Sequence, residues 1–263
     1  MNAVLNATDS SAPTRRVSAL SILLVESRME FMRLLRAPAF SVPIISFPVM
    51  FYILFALVMG PPNAAGGVAR HLLASFTTFG VMAPGLFGLG VSLAIERERG
   101  LLELKRALPI PAGVYLGAKL VMASLFAAIV SVVLMILAAT AGHVVMELLQ
   151  WCKLFALAVV GVLPFCSLGL LIGTLVKGQA AAAVVNLVYL PMSFLSGMMI
   201  PLPLMPHVLT QVAPIWPAYH LLQISLHVVG DPHAGSPGLH AVAVTLEGLA
   251  FFAWAQRRLS QLR

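Results

Sequence analysis

Long apolar stretches of about 17–24 residues alternate along this chain with short polar links, and nearly all Lys and Arg fall in every second link. An apolar helix of that length crosses the roughly 30 Å hydrocarbon core of a bilayer. The pattern predicts an all-α membrane protein with six transmembrane helices, over about 41–59, 72–95, 120–141, 154–176, 180–200 and 239–255. The sixth is the weakest, because it is short and carries Glu247.

The cationic residues orient these spans. Arg15, Arg16, Arg28, Arg33 and Arg36 precede the first span. Arg97, Arg99, Lys105, Arg106 and Lys119 lie in or beside the second link, Lys177 in the fourth, and Arg257, Arg258 and Arg263 follow the sixth. Only Arg70 and Lys153 fall in the other links, a split of 14 to 2 over the chain's 16 Lys and Arg. Positive links stay on the cytoplasmic side, so both the N- and C-termini are expected in the cytoplasm. The stretch 202–229 is apolar enough for a further span, but Pro203, Pro206, Pro214 and Pro217 interrupt it and His207, His220 and His227 make it polar. It reads as a re-entrant pair of short helices entering from the outer face, since broken backbone at membrane depth needs cover from protein or a wet cavity. Residues 1–17 read as a disordered cytoplasmic tail and 18–263 as a single transmembrane domain. No cleavable signal peptide is expected, and no internal repeat is visible.

Composition narrows the class. The 263-residue chain is 60% hydrophobic and 10% charged, with mean hydropathy +0.98. Soluble domains carry about 25% charged residues. A net charge of +7 is therefore read as contact with anionic lipid and protein partners, with no nucleic acid expected. Cys152 and Cys166 lie roughly 21 Å apart along one expected helix, too far for a disulfide.

Two polar segments stand out. Over 19–35, Glu26, Glu30 and Arg33 form a narrow charged stripe on an amphipathic helix, opposite Ile22, Val25, Met29 and Met32; such a helix suits the membrane surface. Over 96–108, Arg99 pairs with Glu103 and Glu103 with Arg106 at helical spacing, while Leu101, Leu104 and Leu108 make an apolar stripe. Pro109 and Pro111 end it. That segment reads either as a docking helix for a soluble partner or as a solvated loop whose charges set orientation.

The motif Glu98-Arg99-Gly100-Leu101-Leu102-Glu103, then Leu108-Pro109 and Leu116-Gly117-Ala118-Lys119-Leu120, resembles the first cytoplasmic loop of ABC-2 type transporter permeases. Leu195-Ser196-Gly197, Pro201, Met205-Pro206 and Pro214-Ile215-Trp216-Pro217 with Tyr219 resemble the same family's fifth span and outer re-entrant segment. Leu101 departs from the pattern, standing where the family often has Thr. The resemblance implies that 96–108 is the coupling helix fitting an ATPase cleft, carried by Arg97, Glu98, Arg99, Gly100, Leu101, Glu103, Leu104 and Leu108. It implies that 19–35 is the connecting helix, with Glu26, Glu30 and Arg33. It further implies an exporter working as a dimer with a second permease copy or paralogue. ATP and Mg would be held by a separate ATPase subunit. This chain contains no phosphate-loop motif and is not expected to be an enzyme by itself. The bacterial inner membrane is the expected location.

Glu247, the one carboxylate inside the six spans, and Asn186 in the fifth are candidate pathway residues, since polar groups in lipid face a cavity or partner. All seven histidines fall on or near the outer side, and no spacing among them matches a closed metal site. Gly85, Gly88 and Gly90 with Pro84, and Gly169 with Gly173, read as helix-packing positions. Two other function classes compete. A membrane-embedded lipid-modifying enzyme would need clustered Asp, Glu, His or Ser at one face. An ion-coupled carrier would need several intramembrane ionisable groups.

Overall fold

The computed structural model describes residues 18–59, 67–101, 104, 112–178, 180–232 and 234–261. The described residues are mostly helical, joined by short turns and coil, with no strand among them. The expected tail, 1–17, lies outside them.

Helix α1 spans Ala19–Leu35, the bounds expected from its pattern. Ser18 begins it, accepting from the Ser21 backbone N–H at 3.2 Å, which satisfies one of the orphan donors of the first turn. Among the described residues, five helices are long and apolar enough to cross a membrane: α2 (Pro38–Val58), α3 (Gly67–Glu98), α4 (Gly113–Thr140, beginning at Ala112), α5 (Leu148–Leu175) and α9 (Pro237–Gln261). Helix α6 (Ala180–Leu195) is apolar but shorter, at 16 residues. Over 202–229, short 3₁₀ turns alternate with helices α7 (His207–Val212) and α8 (Pro217–Val229). Each break falls at one of the prolines. Gly230, in the left-handed region at φ 79°, ends α8, and the Asp231 N–H closes back onto the Leu226 carbonyl at 2.9 Å.

Helix α3 is the central post: 78% of its most apolar stretch is buried, against 22% for α2 and for α9. Pro84 cannot donate to the preceding turn, and from there to Val91 the helix widens into a π-helical stretch. That stretch meets α5 along a seam of glycines. A Cβ on Gly90 would stand 2.7 Å from the Gly169 carbonyl oxygen, one on Gly169 2.6 Å from that of Gly85, and one on Gly173 2.6 Å from that of Gly90. Only glycine lets the two backbones approach so closely. Helices α1 and α2 cover α4 through Phe31 and Phe40, whose rings lie 5.2 and 5.5 Å from that of Phe126.

Candidate functional site

Within the charged stripe of α1, Glu30 turns into the protein, while Glu26 is half-buried and Arg33 keeps its side chain partly in solvent. Glu30 is 5% exposed, while Leu20, Leu24, Val25 and Met29 on the other side are each about 60% exposed. Glu30 is buried because α3 and α4 bring their own charges to meet it. Glu96, on the last turn of α3, and Lys119, on the second turn of α4, are 3% and 0% exposed.

The four charges interlock. Lys119 Nζ donates to Glu96 Oε1 at 2.9 Å, and Arg33 donates to the same oxygen at 2.9 Å. Arg33 also pairs with Glu30 Oε2 at 2.6 Å, and Lys119 Nζ lies 3.5 Å from Glu30 Oε1. The Tyr115 hydroxyl donates to Glu96 Oε2. Lys119 Nζ also donates to Ser92 Oγ at 3.1 Å and stands 5.1 Å from the centre of the Tyr115 ring. Two buried carboxylates face the buried Lys119 and the half-exposed Arg33, so the set as a whole carries no net charge. A balanced, hydrogen-bonded set can stay ionised out of water, whereas an unmatched charge there is costly. The cluster joins α1 to the facing ends of α3 and α4, although α2 lies between α1 and α3 along the chain.

Beyond Glu96, Arg97 reaches across to α5. Its guanidinium donates to the carbonyls of Gly173 (3.1 Å), Thr174 and Val176 (3.1 Å), the orphan acceptors at the end of that helix. Glu98 lies over Gly178, which has φ 41°, and its carboxylate occupies the place a Cβ would take there. Arg99 is exposed and begins a turn completed by Gly100 at φ 70°. After it, Leu101 and Leu104 are 39% and 63% exposed. Glu103 and Leu108 lie outside the described residues. Thus the predicted docking segment begins on a turn whose base is bonded to α1, α4 and α5.

The sequence profile of ABC-2 type transporters matches residues 23–229. The chain belongs to the ABC-2 type transporter family. A provisionally named transport permease of Bacillus subtilis (strain 168), YvfS, is 27% identical over 235 residues, covering 89% of this chain and 94% of that protein. This ABC-2 protein is accordingly a multi-pass membrane transport permease.

The remaining candidates fall apart from the cluster. Glu26 is half-buried on α1. Asn186 is exposed on α6, beside Leu187, Leu190 and Phe194, which are 73%, 48% and 48% exposed. Glu247 faces α8, with Oε1 3.8 Å from His220 Nε2. Among the described residues, no three His, Cys, Asp or Glu gather as a metal site.

Two expectations need correction. Glu247 is not the one carboxylate in the candidate spans, because α3 continues through Glu96 to Glu98. Lys119, counted with the second link, lies inside α4. Glu96, Tyr115, Lys119 and Ser92 were not singled out from the sequence as a site. Their signal was a Glu and a Lys each placed where a charged link meets an apolar run.

Proposed function

We propose that this chain is the permease half of an ABC exporter, pairing with a second permease copy and driven by a separate ATPase subunit that holds ATP and Mg. The observation that carries this reading is the exposed pair Leu101 and Leu104, standing one turn past a Glu96 anchored to α1 and α4. Two exposed leucines in a charged link have a use if a partner covers them. The anchored base gives displacement there a route into the membrane helices. On this reading 96–108 is the coupling helix, α1 the connecting helix, and α7 with α8 the outer re-entrant pair. Helix α6 is the fifth of the six spans and α9 the sixth, both termini are cytoplasmic, and the pathway lies between two copies in a bacterial inner membrane. Asn186 fits a face turned to that pathway or to the second copy, because an amide in plain lipid lacks a partner.

The test is co-purification. The tagged chain, drawn from its own membranes in mild detergent, is expected to bring down a near-stoichiometric phosphate-loop ATPase. The double variant Leu101→Glu, Leu104→Glu should lose that ATPase while keeping wild-type yield and elution volume. Retention of the ATPase by the double variant would overturn the assignment of the coupling surface.

A further inference from the structure

Two imidazoles meet where α8 and α9 pack together, far along the chain from the charge cluster. His220 on α8 is 6% exposed and His240 on α9 is 7% exposed. Their Nδ1 atoms are 2.8 Å apart, and His220 Nε2 lies 3.0 Å from the Pro214 carbonyl oxygen. A carbonyl only accepts, so His220 Nε2 carries the hydrogen. In a neutral ring its Nδ1 is then bare and must accept. His240 therefore donates from Nδ1 and leaves its own Nε2 bare. The contact fixes both tautomers, and His240 takes the one less common for free imidazole.

The surroundings are otherwise nearly apolar. Glu247, two turns beyond His240 on α9, places Oε1 3.8 Å from His220 Nε2. The Tyr219 ring stands edge-on to both imidazoles, its centre 5.3 and 5.4 Å from theirs. The other helices against α8 bring titratable groups that are engaged or placed elsewhere. From α3, His71 bonds Asp231 at 2.7 Å and Arg70 bonds the Val145 carbonyl at 2.6 Å. From α5 comes Lys153, exposed at its end, and from α6 Tyr189, bonded to the Phe79 carbonyl at 3.3 Å.

We propose that His220 and His240 form a proton-binding site that fastens α8 to α9 by one shared hydrogen and releases it when both rings are protonated. One added proton is tolerated: His220 becomes a donor at both nitrogens, His240 accepts at Nδ1 and moves its hydrogen to Nε2, and Glu247 balances the charge. A second added proton sets two N–H groups against each other at the same nitrogens, and the contact parts. Burial holds His220 below the usual imidazole range. The folded pair therefore binds fewer protons than free histidines would, so the fastening is full at neutral pH and weakens as pH falls. If, as the function proposed above has it, this end faces outward, the protons come from the external medium. The proton-binding site itself does not depend on that reading.

The experiment is two-bond ¹⁵N–¹H correlation spectroscopy of the full chain, labelled at histidine, in detergent between pH 8 and pH 5. At pH 8 two rings should show hydrogen on Nδ1: His71, which donates to Asp231, and His240. The His240 signal should persist in His71→Gln and vanish in His240→Phe. In His220→Gln it should lose its strong downfield shift. The wild-type pair should titrate in two separate steps, the second below pH about 6.5. In Glu247→Gln the first step should move down by about 1 pH unit. Two Nε2–H rings at positions 220 and 240, titrating together near the ordinary value, would overturn the proposal. Loss of the ATPase partner would not alter this result, so failure of the permease reading and failure of the proton site are told apart.

Discussion

Replacing Lys119 by Met should cost this protein more than replacing Lys119 and Glu96 together. The lysine is 0% exposed and bonds Glu96 at 2.9 Å, with Glu30 at 3.5 Å. Lys119→Met leaves two buried carboxylates facing one guanidinium. Removing one partner of a buried pair costs about 3–5 kcal/mol. Arg33, with a side chain 47% exposed, can swing only partly toward the loss, so that range stands. For a chain of this length each kcal/mol moves a melting midpoint by about 2–4 °C, giving a fall of about 6–20 °C. Adding Glu96→Gln restores the balance, because the Glu30–Arg33 pair at 2.6 Å remains. The double variant should recover roughly 1–3 kcal/mol relative to the sum of the singles. The assay is the apparent melting temperature of the purified chain in one fixed detergent, for the wild type, both singles and the double. Additive losses would refute the reasoning, for they would mean that Lys119 and Glu96 contribute separately and that charge balance is not what holds the cluster.

Two other expectations follow from packing. Gly169→Ala places a methyl 2.6 Å from the Gly85 carbonyl oxygen and should destabilise by about 1–3 kcal/mol; Gly113→Ala, with nothing within 4 Å, should stabilise its helix by up to about 1 kcal/mol, and both are read from the same melting assay. In a Cys152→Ala background, Asn186→Cys should form a disulfide between copies when native membranes are oxidised, whereas Leu246→Cys on α9 should not; equal crosslinking at the two positions would count against α6 as the face turned to a second copy.

Much of the architecture was legible from periodicity, and what was missed shares one cause. Helix α1 could be bounded because Ser18 caps an apolar repeat that begins at once. Residues 202–229 could be read as broken helices because their prolines fall where the structure breaks them. The ends of α3 and α4 were misjudged by hydropathy, which stops at the first charge. The apolar runs end at Ile95 and begin at Leu120, but the helices run on to Glu98 and start at Ala112. They extend because Glu96 and Lys119 neutralise one another. The boundary error and the missed site are thus the same fact: a charge reads as an edge until its partner, 23 residues away, is known. The glycines show the complementary case. Small residues at Gly169 and Gly173 announced a close helix contact, but nothing in the spacing named Gly85 and Gly90 as the other half. His220 and His240 likewise meet across a tertiary contact that neither local pattern contains.

These contacts also constrain how the molecule can move. Sliding α3 along α5 by a turn would carry side chains into positions where a single Cβ already meets a carbonyl oxygen at 2.6–2.7 Å. Arg97 adds donors to three carbonyls at the end of α5, and the Glu96 cluster ties the same turn of α3 to α1 and α4. A push on Leu101 and Leu104 is therefore carried by α1, α3, α4 and α5 together. Helix α6 lies outside that bonded set. Its one side-chain hydrogen bond to another helix among the described residues runs from Tyr189 to the Phe79 carbonyl, and it leaves Asn186, Leu187, Leu190 and Phe194 uncovered. Relative motion belongs at that face. On the function proposed above, the seam and the charge cluster would act as one lever, opening at the face where a second copy would meet it.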